Sequence, residues 1–259
     1  MQQIDNDVYN RMSATWWDEN SMLSILRTAI NPVRFGYFSD LLDRRLKVRP
    51  QGMALLDVGC GGGFLSEEFA RIGFDVTGVD PSDATLQTAS QHAKIASLKI
   101  NYLRGSGENL PFHDRHFDVV VCCDVLEHVR DVGRVISEIS RVLKPCGTFF
   151  YDTINRTPLS RLVMIKLFQD WKPTAILPRN LHVYEMFIRP EELKAHLTKS
   201  GLEIKDLMGM EPEINPLAMI WLLLKKNRGM IDFRELGEKA RFKQSGNMAV
   251  GYMGYAQKT

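Results

Sequence analysis

Three stretches of this chain carry residues whose types and spacing could do chemistry. The first is "LLDVGCGGGF", Leu55 to Phe64, with four glycines among ten residues directly after an apolar run. Glycine costs backbone entropy, so such a cluster marks positive φ or the close approach of something to a bare main chain. Read as strand, glycine turn and helix start, it is where a nucleotide-like ligand sits in an α/β protein. The second is Asp80, which closes "FDVTGVD". A carboxylate at that strand end can accept both hydroxyls of a ribose, or can simply cap the next helix. The third is "CCDVLEHV", Cys122 to Val129, where Asp124, Glu127 and His128 form a compact set of oxygen and nitrogen donors. A neutral imidazole there can take a proton, and the three together can hold a divalent cation. Packing is the third role, and spacing alone leaves all three open for His128.

Those stretches need a frame that brings them together. Between residues 53 and 155 strand and helix patterns alternate: "MALLDVG", "FDVTGVD", "KINYLRG", the continuous apolar "FDVVVCC" and "TFFYDTIN" read as strands. Helices fall between them, one with Phe64, Leu65, Phe69 and Ile72 inward and one capped by Ser82. In a third, Val132, Val135, Ile136, Ile139, Val142 and Leu143 recur at helical spacing. With "LEIKDLMGM" and "MAVGYMGYAQ" as late strands, the expectation is a doubly wound, mostly parallel seven-stranded α/β sheet. A helical segment precedes it, and a helix is expected near "PEELKAHLTKSG". The chain of 259 residues has a formal net charge of +2, which gives no long-range field for nucleic acid. Four cysteines without a C-x-x-C pair, and no signal-peptide core in "MQQIDNDVYN", read as a protein of the reducing cytoplasm. "LAMIWLLL", Leu217 to Leu224, is the strongest apolar run and is too short to span a membrane.

The glycine loop discriminates between ligands. A dinucleotide fingerprint needs a small residue three places after its second glycine, and Phe64 stands there. The pattern present is D-x-G-x-G-x-G, with Asp57, Gly59, Gly61 and Gly63, which resembles the first motif of class I, Rossmann-like methyltransferases. These bind S-adenosylmethionine (SAM), which has no phosphates to cradle. That resemblance makes Asp57, Gly59, Cys60, Gly61, Asp80 and Pro81 expected cofactor contacts. "GSGENLPF" looks like the loop that lies over adenine; Ser106 stands where an acid is usual, so Ser106, Gly107 and Glu108 share the expectation. Asp124 to Glu127 lacks the prolines and stacking ring of amino-methylating DNA enzymes, which argues against nucleic-acid bases as acceptors.

A closer resemblance comes from "WWDE", "INPVRFGYF", "DVGCGGG", "LEHV", "TINR" and "FIRPEEL" occurring in that order. Together they resemble the ubiquinone-biosynthesis O-methyltransferase family, over about residues 5 to 215. The resemblance implies methylation of phenolic or quinol hydroxyls on polyprenylated precursors, SAM binding by Arg34, Gly59, Asp80 and Cys123, and a magnesium-type cation at Asp124, Glu127 and His128. Arg34 suits a clamp on the methionine carboxylate. One domain is expected: a helical cap (1–48), a SAM-binding core (49–157), an apolar and basic insertion (158–189) and a sheet-completing, acceptor-side segment (190–259). The insertion mixes Leu, Met, Phe and Trp with Arg161, Lys166, Lys172 and Arg179, as a core helix or as a peripheral contact with the inner, anionic face of a membrane. His182 is a further candidate for the acceptor side. A nicotinamide dehydrogenase and a non-catalytic SAM-binding scaffold are the competing readings; Phe64 speaks against the first, the Asp124–His128 set against the second.

Overall fold

The computed structural model describes residues 4–259. Five parallel strands form the centre: β1 (Ala54–Val58), β2 (Asp75–Asp80), β3 (Ile100–Arg104), β4 (Phe117–Cys122) and β5 (Leu143–Ile154). β6 (Leu202–Pro212), β7 (Phe242–Ser245) and β8 (Gly251–Lys258) extend the sheet antiparallel, in the order β3-β2-β1-β4-β5-β8-β6-β7. From β1 the chain winds outward through β2 to β3, then returns past β1 to add β4 and β5 on the other side. The reversal lies between β1 and β4, the position where open α/β sheets bind ligands at the carboxyl ends of their strands. The glycine loop after β1 and the acids after β4 are thereby made neighbours.

β1 and β4 read as continuous apolar runs because both of their faces are covered. Leu56, Val58 and Val120 pack on Val135, Ile136 and Ile139 of a helix spanning Val132–Val142. Leu55, Val119 and Val121 pack on the opposite face, against Leu65 and Phe69 of the helix Phe64–Arg71 and Tyr37 and Phe38 of the helix Asn31–Asp40. In chain order the helices are α1 (Val8–Arg11), α2 (Asn31–Asp40), α3 (Phe64–Arg71), α4 (Asp83–Ile95), α5 (Val132–Val142), α6 (Pro158–Ser160), α7 (Pro190–Lys199), α8 (Pro216–Asn227) and α9 (Phe233–Ala240). Wider helical turns flank α2 and continue α6 through Asp170. Ser82 caps α4 as its sequence predicts, its hydroxyl accepting the Thr85 N–H at 3.1 Å.

The sheet has eight strands, one more than the sequence predicts. The additional strand, β7, is "FKQS": four residues at the sheet edge, three of them polar, with no alternation to announce them. The stretch after Asn215, within the segment expected to complete the sheet on the acceptor side, folds into α8 and α9 before it reaches β7. The bare glycine loop also has a second cause. Gly59, Gly61 and Gly63 have φ of +71°, +52° and +86°, as a tight strand-to-helix turn requires. A methyl group on Gly61 or Gly62, however, would lie 2.4–2.5 Å from the indole of Trp16. Part of the space opened by the glycines is thus filled by the N-terminal segment, which Trp17 ties down by donating Nε1–H to Gly62 O at 2.9 Å. Val8, Trp16, Met22, Leu23, Phe64 and Leu181 form the apolar cluster that seats this cap.

Candidate active site

A cavity of about 510 Å³ lies at the switch point, walled by the glycine loop, Asp80, the 105–108 loop, the turn after β4 and the N-terminal segment. Arg34, Asp57, Gly59, Cys60, Gly61, Asp80, Pro81, Ser106, Gly107, Glu108, Cys123, Asp124 and His128 all line it, so the sequence-predicted cofactor set converges. The main chain at Gly59 and Cys60 is held to β2, both N–H groups donating to Val79 O at 2.7 and 3.1 Å. Asp80 accepts the Gly61 N–H on Oδ2 (3.0 Å) and the Ser82 N–H on Oδ1 (2.9 Å). It therefore fixes the loop while each oxygen retains acceptor capacity toward the cavity. Burial raises its pKa and these two bonds oppose the rise. Asp57 is buried, accepts the Ser66 hydroxyl at 2.6 Å and is pushed up to about 6 by burial. Ser106 and Glu108 bond to each other within their own loop. Burial raises the Cys60 and Cys123 thiols well above their ordinary value, so both behave as small apolar wall residues.

Arg34 is 3% exposed and joins the cap to the sheet. Its Nη2 donates to Asp124 Oδ2 at 2.6 Å, its Nε lies 2.5 Å from Asp152 Oδ2, and its Nη1 donates to Asn31 Oδ1 at 3.0 Å. Burial works against the guanidinium charge, but Asp124 and Asp152 outweigh it and raise the pKa. These contacts use one hydrogen of each terminal nitrogen. Asp152 Oδ1 also accepts the N–H of Asp124, which sits at φ +54° in the left-handed region. Such a conformation costs a non-glycine residue about 1–3 kcal/mol and is held by its surroundings. Here the surroundings are Arg34 and Asp152.

The turn so held presents Glu127 and His128. Glu127 is buried, accepts the Thr153 hydroxyl at 2.9 Å, and is pushed up to about 8 by burial, with Asp124 and Asp152 adding to the rise. His128 is buried and depressed to about 3 by burial, with His182 adding to the fall; His182 is depressed to about 4, again by burial. Their rings lie 5.2 Å apart. The sequence groups Asp124 with Glu127 and His128, whereas the structure brings Glu127 and His128 together with His182. Ligand atoms of these three lie within 4.8 Å of one another, and Asp124 faces Arg34 instead. Sequence reasoning missed Asn6, Tyr9 and Trp16 as cavity-lining residues, and Asp152 beneath them. Asp152 had a signal: an acid inside the apolar run "TFFYDTIN" is too costly to bury without a partner.

Residues 56–151 match the family described as "Methyltransferase domain". With the fold, the glycine loop and Asp80, this defines a SAM-dependent methyltransferase, and SAM is its cofactor. A Pyrococcus horikoshii protein of known structure shares the fold, with a TM-score of 0.60 at 20% identity over 97% of this chain and 99% of its own. The chain is also 37% identical to the "Ubiquinone biosynthesis O-methyltransferase" of Azorhizobium caulinodans, over 82% of this chain and 85% of that one. It is 38% identical to the protein of the same name from Rhizobium leguminosarum bv. trifolii, over 86% and 89%. The chain belongs to the ubiquinone biosynthesis O-methyltransferase family, and is a SAM-dependent O-methyltransferase.

The buried acid gives a stability signature. Glu127 is pushed from an ordinary value of 4.5 to about 8 in the fold, so between these pH values the folded protein holds a proton that the unfolded chain has lost. Stability contributed by that proton is complete below pH 4.5 and falls as pH rises toward 8. Glu127→Gln keeps an acceptor for Thr153 and removes the titration. In chemical unfolding at pH 5 and pH 8, the variant should lose less stability across the interval than the parent, by on the order of 2–4 kcal/mol. Equal losses in the two proteins would mean that Glu127 is ionised in the fold.

Proposed function

We propose that this enzyme methylates a hydroxyl of a phenolic or quinol-like ring bearing an apolar substituent, in ubiquinone biosynthesis as its relatives are named. In this reading the main chain at Gly59, Cys60 and Gly61 lies against the methionine part of SAM, and Asp57 stands near its charged end. Asp80 and Pro81 border the ribose, Ser106, Gly107 and Glu108 the adenine, and Cys123 runs alongside. Arg34 takes the methionine carboxylate with the two hydrogens its ion pairs leave free. SAM supplies a methyl group on a sulfonium, which the acceptor oxygen displaces in line.

The acceptor must lose its proton for this, because a phenol near pKa 10 is barely ionised at neutral pH. His128 is the proposed base. The observation that carries the reading is a buried imidazole on the wall shared with Gly59 and Asp80; the burial that keeps it neutral also weakens it as a base, so it takes the proton in concert with methyl transfer and not before it. As the oxygen–carbon bond forms and the carbon–sulfur bond breaks, the hydroxyl proton passes to the His128 lone pair. A second reading is favoured by the closeness of Glu127, His128 and His182, with His182 Nδ1 buried and without a hydrogen-bond partner among the described residues. Two imidazole nitrogens and one carboxylate suit a borderline divalent ion better than magnesium, which prefers oxygen ligands. Such an ion held there would supply Lewis-acid polarisation of the same hydroxyl.

Labelled-methyl transfer to catechols and quinols, with and without EDTA, separates the two. A plain base predicts no effect of EDTA and a His128→Ala rate lowered about 10²–10⁴-fold. A cation predicts loss of turnover in EDTA at nearly constant SAM affinity, restored by added divalent metal. A full rate in EDTA together with a near-normal His128→Ala enzyme would overturn both.

We also propose peripheral contact with an anionic membrane, from which an apolar acceptor would be drawn. No helix among the described residues is long and apolar enough to cross a membrane. What supports surface contact is an exposed amphipathic face shared by the turns around Trp171 (51% exposed) and by α8, where Leu217 is 79% and Trp221 50% exposed. Lys166, Lys172, Lys225 and Lys226 lie on the same segments, and the Asn227 side chain binds the carbonyls of Lys172, Pro173 and Ala175, holding the two together. In sedimentation at low salt the protein should accompany acidic vesicles and leave neutral ones; equal partitioning would remove the basic residues as the attractive element.

A further inference from the structure

His128 is gripped from the far end of the chain. Asn6 Nδ2 donates to the His128 carbonyl at 2.9 Å, and Asn6 Oδ1 lies 3.2 Å from His128 Nδ1. The first contact settles the second. Because a carbonyl can only accept, the amide nitrogen must face it, which leaves the amide oxygen toward the ring. An oxygen there can only accept, so Nδ1 carries the hydrogen and Nε2 carries the lone pair. The segment that delivers Asn6 is itself anchored: Asp5 N–H donates to Asn180 O at 2.9 Å, and the Tyr9 carbonyl accepts the Thr85 hydroxyl at 3.4 Å.

Nε2 does not face empty space. The Tyr9 hydroxyl lies 3.4 Å from it, with the two rings edge to face at 5.7 Å. Since Nε2 has no hydrogen, the phenol is the donor. At 3.4 Å this is a loose bond, longer than a positioned O–H donor normally makes. Tyr9 is thus a phenol offering its hydrogen to the same nitrogen that, on the reading above, meets the hydroxyl of a phenolic acceptor. Trp16, stacked on the Tyr9 ring with centroids 6.2 Å apart, backs it on the cavity wall.

We propose that the N-terminal segment prepares His128 for the acceptor: Asn6 is a positioning residue that directs the Nε2 lone pair into the cavity, and the Tyr9 phenol occupies that lone pair as an internal stand-in that the acceptor hydroxyl replaces. The inference rests on the reading that His128 meets the acceptor. It holds whether Nε2 then receives a proton or helps to hold a cation, since both need the lone pair there. It assigns the reacting hydroxyl a place beside Nε2, and it explains why the cap contributes a phenol to a site whose substrate is one.

The test has a spectroscopic arm and a kinetic arm. In protein carrying ¹⁵N-histidine, His128 should show the Nδ1–H tautomer, and Asn6→Ala should mix the two tautomers. With labelled SAM and 3,4-dihydroxybenzoate as the probe acceptor, Asn6→Ala should lower kcat about 10- to 100-fold at unchanged SAM affinity. Tyr9→Phe removes a competitor and should lower KM for the probe about two- to tenfold, raising kcat/KM. Calorimetric titration of the probe into protein saturated with S-adenosylhomocysteine should tighten by the same factor, a readout independent of turnover. An Nε2–H tautomer in the parent, or tautomers indifferent to Asn6, would overturn the role of Asn6. Weaker probe binding or a lower kcat in Tyr9→Phe would make Tyr9 a relay or a substrate contact and overturn the stand-in. A His128→Ala enzyme with normal turnover would instead remove the parent reading, and the tautomer result would stand apart from it.

Discussion

A buried guanidinium between two carboxylates holds this site together. Arg34 comes from α2 of the cap, Asp124 from the turn after β4 and Asp152 from β5, so three elements meet at one ion cluster. Removing one partner of such a cluster leaves an uncompensated buried charge, which costs about 3–5 kcal/mol. The cluster also supports the left-handed conformation of Asp124, because Asp152 binds both the backbone N–H of that residue and the arginine that binds its side chain. Without it the turn has no reason to keep Asp124 in that conformation, and Glu127 and His128 follow it directly in the chain. The same charges act at a distance: Asp124 and Asp152 add to the burial that keeps Glu127 protonated.

Around that cluster the molecule divides its tasks by element. The sheet's switch point supplies the bare main chain and Asp80, on rigid strand ends that the apolar packing of both faces fixes. The turn after β4 supplies Asp124 and His128 to the cavity wall. The N-terminal segment walls part of the cavity and reaches the His128 ring through Asn6 and Tyr9. Trp16 fills space left by Gly61 and Gly62, so the N-terminal segment and the glycine loop are shaped for each other.

Most of the fold from Met53 to Ile154 is legible in the sequence, since strands buried on both faces read as apolar runs and the intervening helices repeat at their own period. β7 is not legible, because its four residues are an edge strand made by pairing with β6 and carry no pattern of their own. "LAMIWLLL", the strongest apolar run, forms most of α8: Leu223 is its one buried residue among those described, Leu217 and Trp221 are exposed and the others are half-buried. The site divides along the same line. Asp57, the glycines, Asp80 and the Asp124–His128 run are legible because local spacing carries their chemistry. Asn6, Tyr9 and Asp152 enter from 28 to 122 residues away, and no local spacing marks a partner at that distance. Asp124 shows the consequence, since its neighbours in sequence suggest a metal ligand and its neighbour in space is Arg34.

The site depends most on the coupling between Arg34 and Asp152, which a double-mutant cycle measures directly. Arg34→Met, Asp152→Asn and the double variant would be compared with the parent by chemical unfolding at pH 7. Each single change should be strongly destabilising, and the double change should cost less than their sum, by at least about 1.5 kcal/mol. Additivity within about 0.5 kcal/mol would contradict this, and would mean that the cap and the turn after β4 hold their positions independently of this ion cluster.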